Sequence, residues 1–282
     1  MIIKGDKIAD KINRNTRARV KKIVRRGFVP KIIVFLIGNR PESEIYVRQK
    51  KRLAKQLGFD FEIKRFPKSV SQKKLAEQLT AEQGRPEVCG VLIQLPLPKH
   101  LDSAKILSRL LPGTDIDCLS DVSLGRLILR NNLVVPPTAG AILEILKDAR
   151  VRLTGKKIVV IGSGLLVGKP LVMILMNARA TVTVCNIKTP DLGWFCRTAD
   201  VIISGAGKRN LITAEMVSEK AVVIDAGFSF SRGKAHGDVD VEAIDRKGAM
   251  VTPTPGGVGP VTVACLMRNA VICAEKNINY SK

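Results

Sequence analysis

A short apolar run, Ile158 to Ile161, breaks into Gly162-Ser163-Gly164-Leu165-Leu166-Val167-Gly168 and then into a helical stretch over 170–177. Few features constrain a chain as tightly. A buried strand that feeds a glycine-rich turn and a helix opens a βαβ unit, and such units build parallel sheets. In that setting backbone N–H groups and a helix N-terminus face a pyrophosphate. The spacing is G-x-G-x-x-x-G rather than the commoner G-x-G-x-x-G, so the loop read alone leaves a purely structural turn as a second reading.

The alternation runs through all 282 residues. Periodicity predicts a helix over 6–26 with Ile8, Ile12, Val20, Ile23 and Val24 as its buried stripe, ended by Gly27. A strand over 31–37, a turn at 38–41 and a helix over 43–57 stopped by Gly58 follow. Then come a strand over 59–66, a helix over 71–83 and a strand over 90–94. The prolines of Leu95-Pro96-Leu97-Pro98 cannot continue a ladder. A short helix over 100–110, a loop over 112–118 and a helix over 139–149 opened by Pro136-Pro137-Thr138 complete the first half. The second half offers strands at 182–184, 201–204 and 222–224, a proline–glycine run from Thr252 to Pro260, and a helix over 261–276. The expected fold class is α/β, with an N-terminal α/β catalytic domain, a C-terminal Rossmann-type doubly wound parallel sheet domain, and a cleft between them. Residues 1–120 with 261–282 are expected to form the first domain and 121–260 the second.

Composition bounds the chemistry. The N-terminus has no basic stretch followed by a long apolar block, and the apolar runs are strand-length, so a soluble cytoplasmic protein is expected. Six cysteines are scattered singly with only His100 and His236 to assist, which predicts reduced structural thiols and no metal site. The formal charge of +22 is uneven: residues 1–74 hold 22 Lys+Arg against 6 Asp+Glu, a net of +16, and the remainder holds 25 against 19, a net of +6. Such a field attracts polyanions. Nucleic acid, a polyglutamylated or phosphorylated small molecule, and mere solvated helix faces are all compatible with it.

Tyr46 and Lys50 lie four apart on a predicted helix, hence on one face. A lysine in a partly dry pocket has a lowered pKa, and a phenol beside it can orient or share a proton. The same spacing arises by chance on amphipathic helices. It also belongs to short-chain dehydrogenases, which place it after the glycine-rich loop rather than before. Gln94 falls at a strand end, where sites form in α/β proteins. Asp115 and Asp117 alternate, so one is expected to face inward, with capping or turn formation as the other role for either. After the strand at 182–184 the segment Cys185-Asn186-Ile187-Lys188-Thr189 carries no acid to grip an NAD ribose, while Lys188 and Arg179 are cations for a 2′-phosphate. NADP is therefore favoured over NAD.

Together these segments resemble the bifunctional methylenetetrahydrofolate dehydrogenase/methenyltetrahydrofolate cyclohydrolase family, in order and over nearly the whole chain. GNRPESEIYVRQK (38–50), VLIQLPLP (91–98), 112–117, the loop at 162–170 with its VGKP ending, and 253–260 carry the resemblance. It implies oxidation of 5,10-methylenetetrahydrofolate with NADP, then hydrolysis to 10-formyltetrahydrofolate, in the one-carbon metabolism that supplies purine biosynthesis. It implies catalytic roles for Lys50, Tyr46, Gln94 and Asp117. Lys50 would be the acid/base of hydrolysis tuned by Gln94, with Tyr46 orienting the folate and Asp117 holding the pterin. It implies folate contacts at Gly256, Gly257 and Val258, cofactor contacts at Gly162, Ser163, Gly164, Ile187 and Phe228, and a homodimer.

Several positions depart from the family pattern. Thr114 replaces a usual Lys, Cys118 a Gly, Ser163-Gly164 an Arg-Ser and Asn186-Ile187 a His-Ser. The folate and acid/base set is intact, while the set near the 2′-phosphate is altered. A cyclohydrolase with weak or NAD-preferring dehydrogenase activity is thus a second reading. A basic nucleic-acid-binding protein on this fold is a third, which the intact Tyr46, Lys50, Gln94 and Asp117 oppose.

Overall fold

The lysine-rich opening of the chain forms α1 (Asp6–Val24), and its buried positions Ile8, Ile12, Thr16, Val20 and Ile23 repeat at helical spacing. Val24, expected in that stripe, is 41% exposed because it lies past the last turn that packs inward. The structure is a computed structural model and describes residues 1–231 and 234–280. It divides into two units: Lys11–Val135 with the stretch from Leu266, and Met1–Asp10 with Pro136–Cys265. Residues 1–10 therefore join the second unit, where Ile3 donates to Val251 over 2.8 Å, and 121–135 stay with the first.

In the first unit, β1 (Lys31–Ile37), α2 (Pro41–Leu57), β2 (Asp60–Phe66), α3 (Gln72–Gln83) and β3 (Val88–Ile93) alternate and give a parallel sheet in the order β2-β1-β3. β1 and β3 read as near-continuous aliphatic runs because both faces of the sheet are covered. β2 is an edge, and its alternating charges join an ionic cluster. Lys64 meets Glu62 and Glu82 at 2.9 Å each, and Lys31 meets Asp60 at 3.1 Å. Charge on an edge strand discourages pairing with another chain. Two short helices follow, α4 (Ser103–Leu107) and α5 (Asp121–Ile128).

The second unit holds α6 (Pro137–Asp148), β4 (Lys157–Ile161), α7 (Gly168–Asn177), β5 (Thr181–Cys185), α8 (Leu192–Arg197), β6 (Val201–Ser204), β7 (Val222–Asp225), the hairpin β8 (Ser229–Ser231) and β9 (Lys234–His236), α9 (Val241–Arg246), β10 (Met250–Val251) and the start of α10 (Val258–Tyr280). Its parallel sheet has the order β10-β7-β6-β4-β5. Doubly wound topology is thus present, in the five-strand arrangement whose switch point lies between the first and third strands, here β4 and β6.

The helix expected over 100–110 is cut to α4, which Asp102 caps by accepting from the Lys105 N–H at 3.2 Å. Three helices went unanticipated: α5, α8 and α9. Each is too short to show periodicity, yet each is opened by a capping side chain, Ser120, Asp191 or Asp240. All six cysteines are buried free thiols. The segment Val258–Ile278 is long and apolar enough to cross a membrane by length and composition, longer than the strand-length runs seen in the sequence. However, 61% of its apolar window is buried within the protein, as in a core helix.

Within the first unit α10 is anchored at two points. Glu275 takes a two-pronged contact from Arg19 at 2.9 and 2.6 Å. The buried Asn269 donates its amide to the carbonyls of Ile116 at 2.9 Å and Val135 at 2.7 Å. Removing that amide strands the Ile116 carbonyl away from water and takes a donor from the part-buried Val135 carbonyl. Asn269→Ala is expected to destabilise the protein by about 2–4 kcal/mol, measured by urea unfolding. A change under about 0.5 kcal/mol would show that the anchor is dispensable.

Candidate active site

Buried positions of α2 fall at Ser43, Val47, Ala54 and Leu57. Lys50 occupies the gap in that stripe, so the helix that packs against the sheet must carry an ammonium inward with it. Pro41 at the first turn, Glu42 and Glu44 near the N-terminus, and Gly58 at φ 95° bound this helix and fix its register. The Lys50 Nζ donates to Gln94 Oε1 at 3.1 Å. Gln94 is placed by the end of β3, where its N–H donates to Phe35 O at 3.0 Å, and its own Nε2 donates to Leu95 O at 3.0 Å. With the amide nitrogen so engaged, the oxygen is turned to the lysine, which can only donate. The Leu95–Pro96 bond that follows is cis.

Asp117 arrives from the segment after Leu110. That segment lies close against β3: Val91 donates to Thr114 O at 2.8 Å, and a Cβ on Gly90 would sit 2.8 Å from Ile116 Cδ1. Gly90 therefore permits the approach that delivers Asp117. Asp115 is fully buried and Asp117 half-buried, so the two divide the roles expected of the pair. Asp115 takes the turn role, accepting from the N–H groups of Leu119 at 3.0 Å and Ser120 at 2.9 Å. Asp117 is in electrostatic contact with Lys50 instead. Cys118 holds φ 56°, a left-handed geometry that explains why glycine suits this position better. Thr114, in place of a cation, is buried with its hydroxyl donating to Leu111 O at 3.2 Å.

Burial sets the electrostatics. It pushes the Lys50 ammonium below the ordinary lysine range, with the Asp117 charge opposing it. It raises Asp117 to about 6, with Lys50 pulling the other way and Asp115 adding to the rise. It lifts the Tyr46 phenol to about 12, which keeps that group protonated. The structure thus brings Lys50, Gln94 and Asp117 together, with Tyr46 one turn before Lys50 on α2.

The second unit holds the remaining expected residues. Gly162 has φ 98° and donates to Cys185 O at 2.9 Å, and a Cβ there would lie 2.7 Å from Gly205 O. A Cβ on Gly168 would collide with the Gly162 carbonyl, so α7 begins directly against the turn. Ser163 and Gly164 are exposed between them, and Gly164 faces open space. Ile187 is 97% and Phe228 42% exposed. Asn186 closes a turn: its Oδ1 accepts from the Lys188 N–H, and its own N–H donates to Thr189 Oγ1, both at 2.9 Å. Arg179 is misplaced by the sequence reading. It precedes β5, with its carbonyl accepting from Gly155, and so sits at the amino end of a strand about 17 Å long whose other end bears Asn186. Lys188 alone of the two cations is at the glycine-rich edge. In the proline–glycine run, Gly256 has φ 98° and its carbonyl accepts from Gly5 at 2.8 Å, while a Cβ on Gly257 would lie 2.9 Å from the Thr252 Cβ. Val258 is buried at the start of α10.

Sequence reasoning missed a second buried carboxylate pair in this unit, Asp225 and Asp238. Burial, together with the Asp238 charge, holds Asp225 at about 6 against several backbone donors. The available signal was an aspartate ending an apolar strand, with glycines at 227 and 237.

One unit with a doubly wound sheet and an open glycine-rich edge, and another that holds an amine against an amide and a carboxylate, define a nucleotide-linked enzyme that also moves protons. The comparisons agree. Residues 3–117 match the tetrahydrofolate dehydrogenase/cyclohydrolase catalytic domain, and residues 136–278 match the NAD(P)-binding domain of the same family. A bifunctional protein FolD of an Exiguobacterium species is 40% identical over 276 residues, covering 98% of this chain and 99% of that protein. Among solved structures, the bifunctional FolD of Campylobacter jejuni superposes with a TM-score of 0.94 at 34% identity over 98% of this chain and 99% of that one. The Trypanosoma brucei dehydrogenase-cyclohydrolase, complexed with NADP cofactor and inhibitor, has a TM-score of 0.94 at 34% identity over 99% and 98%. The chain belongs to the tetrahydrofolate dehydrogenase/cyclohydrolase family.

Asp117 gives a stability test with a definite sign. Its folded pKa of about 6 stands above the unfolded value near 3.9, so its contribution is present below pH 4 and lost as pH rises through 6. Asp117→Asn should therefore gain stability relative to the native chain between pH 4 and 7, by up to about 3 kcal/mol. A difference in unfolding free energy that stays flat across that range would contradict the buried, raised carboxylate.

Proposed function

We propose that this chain oxidises 5,10-methylenetetrahydrofolate with NADP and hydrolyses the methenyl product to 10-formyltetrahydrofolate, with Lys50 as the proton-transfer group. The observation that carries this is the contact of 3.1 Å between Lys50 Nζ and Gln94 Oε1, inside the buried stripe of α2. An amine pushed below its ordinary range gives up its proton more readily than an exposed lysine does.

In the first reaction the methylene carbon gives a hydride to NADP, which supplies the electron acceptor when bound, and the folate becomes the methenyl cation. No side chain changes its proton count in that step, so the protein's contribution is alignment. In the second reaction water adds to the cationic carbon. Neutral Lys50 takes the first proton that the water loses and returns it to the ring nitrogen as the carbon–nitrogen bond opens. The adduct's hydroxyl proton passes to solvent as the formyl C=O forms, so the charge of the cation leaves as one proton. The Gln94 carbonyl accepts from the ammonium form and limits how far burial depresses it. Asp117, ionised above its pKa of about 6, offers acceptors to the amino and ring N–H donors of a pterin. Tyr46, fixed in its protonated form, orients the folate. Gly256, Gly257 and Val258 offer backbone to the flat ring. Gly162, Ser163, Gly164, Ile187 and Phe228 make the nucleotide edge. With no acid after β5 and Lys188 at that edge, NADP is preferred to NAD.

Two assays check this. Methylenetetrahydrofolate with NADP, and separately with NAD, should yield methenyl product and reduced cofactor, faster with NADP. Turnover with neither removes the dehydrogenase assignment, and faster turnover with NAD reverses the cofactor preference. Lys50→Met should cut hydrolysis of methenyltetrahydrofolate by on the order of 10²–10⁴ while hydride transfer persists. An unchanged hydrolysis rate would remove Lys50 from the mechanism.

We further infer that the protein acts as a homodimer in the cytoplasm, on the strength of its family resemblance. Light scattering on the purified chain should return twice the chain mass of 30.7 kDa, and a monomer at micromolar concentration would overturn the assignment.

A further inference from the structure

Asp238 is fully buried, and the two reactions give its carboxylate no proton to move and no substrate to hold. Four donors surround it. The Ser204 hydroxyl and the Ala206 N–H each donate to Oδ2 at 2.7 Å, the Gly207 N–H to Oδ2 at 3.2 Å, and the Lys208 N–H to Oδ1 at 2.7 Å. Three successive backbone N–H groups turned to one side make a concavity that binds anions. Here the anion is the protein's own side chain.

The loop so held leaves the carboxyl end of β6, at the switch point where doubly wound sheets seat their ligands. It also abuts the glycine-rich turn, since a Cβ on Gly162 would lie 2.7 Å from Gly205 O. Asp238 is held in turn by Asp225 at the end of β7. The Asp225 Oδ1 accepts from the Asp238 N–H at 3.1 Å and the Gly227 N–H at 3.0 Å, and its Oδ2 accepts from the Val239 N–H at 3.3 Å. Any side chain at Gly227 would collide with the Asp238 carboxylate, and any at Gly237 with that of Asp225. Two aspartates and two glycines thus link β7 to the loop after β6.

We propose that Asp238 is a positioning residue for the dinucleotide. By occupying the N–H groups of Ala206, Gly207 and Lys208 it fixes the shape of that edge and withholds those donors from the cofactor's phosphates. The pyrophosphate is thereby directed to the turn at Gly162–Gly168 and the start of α7. This rests on the nucleotide reading of that edge.

The test uses the full chain, because the family's hydrolytic reaction consumes no nucleotide and reports on overall integrity. Asp238→Asn keeps the shape but removes the charge and sets an amide NH₂ against backbone N–H groups. Its KM for NADP should rise on the order of tenfold to a hundredfold. Hydrolysis of added methenyltetrahydrofolate should stay within about twofold of the native rate, since a merely structural loss would lower both reactions together. An unchanged KM for NADP overturns the proposal, and so does a parallel fall in both activities at constant KM. If Asp238→Asn does not yield folded protein, Ser204→Ala removes one of the four donors. It should raise the KM for NADP about two- to fivefold with hydrolysis intact, and no rise there is equally fatal. If the native chain oxidises no methylenetetrahydrofolate with either nucleotide, the nucleotide reading fails and takes this proposal with it. Normal oxidation by the native chain with an unmoved KM in the variants removes the role of Asp238 alone.

Discussion

An ammonium group in the buried stripe of a helix is an expensive thing to fold around, and the first unit is organised to compensate for it. Lys50 follows Val47 by three residues and precedes Ala54 by four, so α2 cannot pack on the sheet without drawing the amine inward. The compensation comes from two elements distant in sequence. The end of β3 supplies the Gln94 carbonyl, and the segment after Leu110 supplies the Asp117 charge. The first contributes a neutral acceptor and the second a carboxylate that is itself lifted by burial. Neither fully offsets the desolvation, and the result is an amine whose proton is loosely held. The same balance that makes the fold possible makes the group reactive.

The second unit solves a different problem with backbone groups. Parallel strands end with N–H donors that need partners, and the two loops at the switch point use theirs differently. The loop after β6 spends three on the carboxylate of Asp238, whereas the turn after β4 keeps Ser163 and Gly164 exposed in front of α7. An internal anion fills one concavity, and an anionic ligand suits the other. Glycines at 162, 168, 227 and 237 recur because each meets a carbonyl or a carboxylate where a Cβ would sit.

Much of this was legible in the chain. The strands β1 and β6 fall where the apolar runs place them, and α2, α3 and α7 lie within a few residues of their expected bounds. The α/β class and the doubly wound sheet follow from the alternation. What escaped was short or non-local. The helices α5, α8 and α9 carry caps but no periodicity, and the hairpin of β8 and β9 has too few residues to alternate. Arg179 shows the limit of proximity in sequence: it is seven residues from Asn186, yet β5 carries the chain from the amino ends of the strands to their carboxyl ends between them. Which of Asp115 and Asp117 closes a turn and which meets the amine was also not legible, because the turn that Asp115 closes depends on the N–H groups of Leu119 and Ser120.

The sequence by itself determined the local elements, the order of the strands along the chain, and which residue types were present to do chemistry. Period, capping residues and glycine-rich turns are properties of neighbouring positions, so they can be read without knowing the fold. Only the tertiary structure decided what those residues became. It turned the Gln94 oxygen toward Lys50, set Asp117 rather than Asp115 against the amine, and paired Asp225 with Asp238 across 13 residues of chain. Burial, charge compensation and the direction of a hydrogen bond depend on atoms from separate strands meeting at one point, and no local pattern encodes that meeting.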